Sequence, residues 1–227
     1  MMEKVFENIN DEMITYYAKK SLEFEDTYKR PERQKYINKS KMLLKKYFFR
    51  KNVLEISCGT GFWTETISEV SNKIIATDIN NEVLDIAKTK KYFCEVKFIR
   101  DDSYILEQIT EKYDSLFAGF WFSHIPKSKI KYFISIIHEK LKKDAIVVFM
   151  DNLYMDKRYL DENSSPISRY DIEGNSYQVR KLKDNSHYEV IKNFYDENSL
   201  KECFRNYGKE IKIYKQKYFW IVKYIKR

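Results

Sequence analysis

From Lys51 onward, short apolar runs alternate with stretches in which apolar residues recur at helical spacing. Asn52–Ser57, Lys73–Asp78, Glu95–Arg100, Tyr113–Phe120 and Ala145–Asp151 read as five strands. Between them the spacing predicts a helix from Phe62 to about Ser71 and another that Asn80 caps and that runs to about Lys90. A longer helix opens at Pro126 and carries Ile130, Phe133, Ile134, Ile137 and Leu141 on one face. Such alternation implies a mostly parallel sheet covered by helices on both faces.

The flanks follow other patterns. Residues 10–48 read as helical, with Ile14, Tyr17, Ala18 and Leu22 on one face. Beyond a break at Pro31, Ile37, Met42, Leu43, Leu44 and Tyr47 share another face. After Asp151 the segments Tyr177–Lys183 and Tyr188–Phe194 form a polar hairpin, expected to stand over the strand ends. A short helix, Glu197–Tyr207, is expected to end on Gly208 as its C-terminal cap. Glu210–Ile225 then supplies two antiparallel edge strands. The resulting expectation is one α/β domain spanning 1–227. It comprises a helical cap (1–48), a core (49–151), a hairpin insert (152–195) and a C-terminal helix with an edge hairpin (196–227).

The segment from Val53 to Thr64 carries the chemistry. It reads Val-Leu-Glu-Ile-Ser-Cys-Gly-Thr-Gly-Phe-Trp-Thr, with Glu55 inside a strand, glycines at 59 and 61, and a helix start. Those glycines let backbone approach a ligand where a side chain would collide. Nineteen residues beyond Gly59, Asp78 ends the next strand, the position from which a carboxylate reaches ribose hydroxyls. A dinucleotide fingerprint needs a third glycine three residues after the second, and Thr64 stands there behind Phe62 and Trp63. A compact nucleoside without phosphates fits this turn better than a pyrophosphate.

The stretch resembles motif I of class I S-adenosylmethionine-dependent methyltransferases, and Asp78 resembles their ribose-binding acid. Ser57 departs from the pattern, standing where the first glycine is usual. Phe98–Tyr104 resembles the next motif, whose acid contacts the adenine amine. Asp102 is the better match and Asp101 the alternative, with Ser103 following as a backbone donor. Ala118–His124 is similar to the fourth-strand exit beside adenosine and acceptor. The Tyr16-Tyr17 region leading to Tyr28 is similar to the N-terminal helix of the ubiquinone/menaquinone-methyltransferase-like group. The resemblance implies a Rossmann-like seven-stranded fold with S-adenosylmethionine as cofactor. It implies cofactor contacts from Tyr17, Glu55, Ser57, Cys58, Gly59, Gly61, Trp63, Asp78, Ile79, Asp102, Ser103 and Phe120. It implies acceptor contacts from Tyr16, Tyr28, Trp121, His124 and Asn152.

His124 is the candidate base, or else a histidine tied to a loop carbonyl. His138 is expected to face solvent, and His187 lies in the hairpin. Asp151-Asn152 resembles half of a catechol-type magnesium site, but Phe120–His124 supplies no partner carboxylate, so no metal is expected.

Composition narrows the partners. Cys58, Cys94 and Cys203 have no paired spacing, which argues against zinc and disulfides. The net charge of +8 comes from lysines spread beside acids, with no arginine block, which favours a solvated surface over nucleic acid. The chain also has no Pro-Pro and no cysteine following proline, unlike adenine-N6 and cytosine-C5 enzymes respectively. Aromatic residues make up 16% of the chain, including 19 tyrosines; this excess either lines a ligand site or reflects compositional bias. The longest apolar runs are too short to span a bilayer and the first residues lack a signal-peptide core. The expectation is a cytoplasmic monomer or homodimer that methylates an oxygen or nitrogen of a small molecule, the alternatives being an RNA-modifying methyltransferase or a non-catalytic S-adenosylmethionine-binding subunit.

Overall fold

The computed structural model describes residues 2–155 and 165–227, with side chains from residue 11 onward. A central seven-stranded sheet has the order β3-β2-β1-β4-β5-β10-β9. Its strands are β1 (Asn52–Ile56), β2 (Lys73–Asp78), β3 (Glu95–Arg100), β4 (Tyr113–Gly119), β5 (Leu141–Asn152), β9 (Gly208–Lys215) and β10 (Phe219–Lys226). The first five pair in parallel, while β10 runs antiparallel to both β5 and β9. Strand order reverses beside β1, so the connections leaving β1 and β4 run to opposite faces of the sheet and open a crevice at the C-terminal strand ends.

Two apolar layers hold the sheet. On one face α5 (Ile130–Glu139) and α6 (Glu197–Phe204) enclose Phe122, Phe133, Phe149, Phe204 and Trp220. On the other, α2 (Pro31–Phe48) and α3 (Phe62–Ser68) bury Leu44, Phe48, Trp63, Ile67 and Phe117. The remaining helices are α1 (Met2–Lys19) and α4 (Asn81–Lys88). A separate three-stranded sheet, β6 (Arg169–Tyr170), β7 (Ser176–Lys181) and β8 (His187–Ile191), forms the expected hairpin with one extra strand. Residues 156–164 of the insert lie outside the described residues.

Several local expectations are corrected. The first helix ends at Lys19 and gives way to a 3-10 helix, Ser21–Tyr28, so Leu22 leaves the predicted stripe and is exposed. Met42 is also exposed, because the buried face of α2 runs through Ile37, Ser40, Leu44, Tyr47 and Phe48. Asn80 precedes α4, but its side chain makes no cap; its amide holds the carbonyl of Ile14 on α1 at 3.2 Å. Gly208 begins β9 rather than capping α6, and a Cβ there would lie 2.6 Å from the Tyr224 ring. His138 is half-buried against Tyr207, with Nε2 at 2.9 Å from the Tyr224 hydroxyl. Burial pushes its pKa down to about 4, with Lys226 adding to the shift. It is not a solvent-facing residue.

Candidate functional site

The turn after β1 is built from left-handed backbone. Gly59 and Gly61 have φ of 56° and 79°, which glycine adopts without strain. At Gly61 a Cβ would stand 2.4 Å from the Tyr92 hydroxyl and 3.2 Å from the Ala87 Cβ, so this glycine serves the close packing of α3 against α4. Ser57 is also left-handed, with φ 53°. For a non-glycine residue this conformation costs about 1–2 kcal/mol, partly offset by glycine's greater loss of chain entropy, about 0.5–1 kcal/mol. Ser57→Gly is therefore expected to raise stability by about 0.5–1 kcal/mol, read as a higher denaturant midpoint; a fall would show that the Ser57 hydroxyl does structural work.

Asp78 closes the turn from the neighbouring strand. Its carboxylate accepts the Gly59 N–H at 2.9 Å and the Asn80 N–H at 3.0 Å. Burial raises its pKa to about 6, against the pull of those backbone donors. Glu55 lies deeper, 1% exposed, and burial pushes its carboxyl up to about 8, so it is a neutral acid at pH 7. One of its oxygens is buried with no hydrogen-bond partner. Beyond β3, Asp101 spends both oxygens on the backbone N–H groups of Asp102 and Gln108. Asp102 spends one on Tyr104 N–H and lines the crevice half-buried. Of the two, Asp102 is the freer to receive a ligand.

A cavity of about 760 Å³ opens over these strand ends, within the roughly 300–1,000 Å³ common for ligand sites. Ser57, Gly59, Asp78, Ile79, Asp102, Ser103 and Phe120 line it, together with Tyr16, Tyr17, Tyr28, Trp121, His124 and Asn152. Glu55, Cys58, Gly61 and Trp63 do not; they sit beneath or behind the turn. The structure thus separates residues that face the cavity from residues that shape it. Phe120 exits β4 with φ 61°, an outlying conformation for a bulky side chain. Its ring packs against Tyr28, Trp63 and Phe219.

Two covers complete the cavity. From α1, the Tyr17 hydroxyl donates to His124 Nε2 at 2.9 Å. His124 Nδ1 donates in turn to the Ile191 carbonyl at 2.5 Å, so the ring is neutral with both nitrogens engaged. Burial, then the charge of Lys192, lowers its pKa to about 3. From the small sheet, Lys192 reaches past β8 to Asp151 at 2.9 Å and to the Ser123 hydroxyl at 2.6 Å. Both partners of this pair are buried, Lys192 at 3% and Asp151 at 0% exposure. Burial alone would raise the Asp151 carboxyl, but Lys192 and neighbouring donors hold it below the ordinary range. Asp151 is therefore a buried anchor within β5. Lys192 had no signal in the sequence.

The seven-stranded order, with its antiparallel β9–β10 hairpin at the β5 edge, is that of the class I S-adenosylmethionine-dependent methyltransferase fold. In particular, residues 53–144 match the family described as "Methyltransferase domain". Over 99 residues the chain is 31% identical to a malonyl-[acyl-carrier protein] O-methyltransferase of Bacillus anthracis, a match that spans 43% of this chain and 36% of that protein. The DhpI–SAH complex superposes with a TM-score of 0.76 over 95% of both chains, at 19% identity. The PH0226 protein of Pyrococcus horikoshii OT3 does so with a TM-score of 0.67, over 88% of this chain and 93% of that one, at 19% identity. At such identity the structural likeness is one of fold. Among the described residues no helix is long and apolar enough to cross a membrane.

Proposed function

We propose that this protein transfers a methyl group from S-adenosylmethionine to an oxygen or nitrogen of a small-molecule acceptor. The observation that carries the reading is the Gly59–Asp78 contact at the mouth of the cavity. It sets a carboxylate and a side-chain-free turn side by side at the strand ends, the pairing an unphosphorylated nucleoside requires. The residues fit the cofactor: Asp78 would take the ribose, Asp102 and Ser103 the adenine, and Gly59 would let the chain pass close to it. When bound, the cofactor supplies an activated methyl group and its own leaving group.

The chain's task is alignment and the exclusion of water. Holding two reactants in attack geometry reaches effective molarities on the order of 10⁵–10⁸ M. Tyr16, Tyr17, Tyr28, Phe120 and Trp121 supply aromatic walls for that purpose, and Asn152 adds an amide at the end of β5. His124 acts through Tyr17, fixing the direction of its hydroxyl; to take a proton from the acceptor it must first be released by Tyr17. A cytoplasmic setting, with the chain as monomer or homodimer, belongs to the same proposal, supported by three free cysteines among the described residues.

Calorimetry tests the reading. Micromolar binding of S-adenosylmethionine or S-adenosylhomocysteine is expected, with none of NAD; bound NAD in the purified protein would overturn it. Tyr17→Phe keeps the ring but removes the donor, and His124→Ala removes its acceptor. Both are expected to lower kcat with little change in cofactor affinity, and undiminished turnover in both would remove the pair from the mechanism.

A further inference from the structure

The inner face of the small sheet carries a positive charge that nothing in the described residues neutralises. Gln178, Arg180 and Leu182 alternate onto one side of β7 and its continuation, and the register places Val190 and Tyr188 opposite the first two. Leu182 and Val190 pack against Met13 and Tyr16 of α1, so this is the side turned to the cavity. Two cations share it. Lys192 is matched by Asp151. Arg180 forms no ion pair among the described residues; one of its nitrogens bonds the Gln178 side-chain oxygen at 2.6 Å, and its Nε–H is buried with no acceptor.

The acids that line the cavity are committed elsewhere. Glu23 faces Lys183 at 3.5 Å and Asp26 bonds Lys29 at 3.0 Å. Asp78 and Asp102 stand at the ends of β2 and β3, on the nucleoside side. Trp121, in the same cavity wall, also has a buried indole N–H with no partner. Arginine and tryptophan side chains donate and never accept. Two buried donors without acceptors carry a desolvation cost that no bond offsets. Their complement is a group that only accepts and bears negative charge.

We infer that the methyl acceptor carries a small oxyanion of the carboxylate or phosphate class, and that Arg180, in the same cavity wall as Trp121, is where that group is held. The inference rests on the methyltransferase reading above. It also answers a chemical difficulty of the site. Both His124 nitrogens are engaged and the Lys192 ammonium is paired, so neither offers a free base at the acceptor end. An oxyanion attacking the methyl carbon needs none. Its lone pair would form the new O–C bond as the electrons of the breaking C–S bond return to sulfur; the sulfonium loses its positive charge, the oxyanion loses one negative charge, and no proton has to be removed.

Titration of the full chain, preloaded with S-adenosylhomocysteine, with inorganic phosphate and separately with malonate tests this. Saturable binding of one probe is expected; the probe that binds identifies the group class. Arg180→Gln should weaken it at least tenfold while changing S-adenosylhomocysteine affinity less than twofold, and Arg180→Lys should restore part of the loss. The inference is overturned if neither probe binds the loaded protein, or if both Arg180 variants bind as the parent does. It is equally overturned if Arg180→Gln loses S-adenosylhomocysteine instead, which would give this arginine to the cofactor's own carboxylate. A parent protein that binds no S-adenosylhomocysteine at all would sink the methyltransferase reading beneath it.

Discussion

Asp78→Ala is expected to weaken S-adenosylhomocysteine binding by about 10²–10⁴-fold, because the two charge-assisted hydrogen bonds it would accept from ribose are each worth about 1.5–3 kcal/mol. The substitution also strips the Gly59 and Asn80 N–H groups of their acceptor, so the turn loses its brace together with its charge. Thermal unfolding of the variant separates the two effects, and affinity within threefold of the parent, in a folded variant, would remove Asp78 from the site. A pH dependence follows from the same residue. Its pKa in the folded protein is raised to about 6 by burial. A raised acid holds a proton in the native state that the unfolded chain has already lost. Its contribution to stability is therefore lost as pH climbs from the ordinary carboxylate range through 6. Ribose hydroxyls would donate to the ionised form, so cofactor affinity is expected to run the opposite way. It should be full above about pH 7 and fall toward tenfold per pH unit well below 6, measured by calorimetry across pH 4.5–8.

Lys192→Met should be the most damaging single change to stability. It leaves the Asp151 carboxylate at 0% exposure with only hydrogen bonds from Ser123 and Asn152. Orphaning one member of a buried pair costs about 3–5 kcal/mol, and a chain of this size loses about 2–4 °C of Tm per kcal/mol. A fall on the order of 10 °C at pH 7 is expected by scanning calorimetry. The deficit should shrink in acid, where Asp151 can protonate, and adding Asp151→Leu should recover part of it. A variant that melts with the parent would show that the pair is dispensable.

The half of the site nearest β1 was legible in the sequence because its parts are local. Glycines at 59 and 61 and an acid 19 residues on are a spacing that one strand–turn–helix–strand unit brings together. The opposite half was not. Asp151 and Lys192 are 41 residues apart and meet only because β5 and β8 end at the same crevice. Nothing in the composition around Lys192 sets it apart from the chain's other lysines. Arg180 was hidden for the same reason, since its role depends on which face of β7 turns inward. Helical periodicity misplaced Leu22 and Met42, because a stripe read across a helix end carries on after the helix has stopped. Gly208 shows a different limit. A glycine after a helix invites the capping reading, whereas here the Tyr224 ring leaves no room for a side chain.

The two covers of the cavity are fastened by different physics. The small sheet is riveted to β5 by opposite charges in an interior without water, and parting them means solvating both. The helix α1 is held by apolar contact with Leu182 and Val190 and by the Tyr17–His124 and Asn80–Ile14 hydrogen bonds, whose donors and acceptors water can satisfy as they open. Thermal breathing follows the cheaper seam. Amide hydrogens along α1 should therefore exchange faster than those of β7 and β8, and a ligand passing beneath α1 would break weaker contacts than one passing beneath the small sheet.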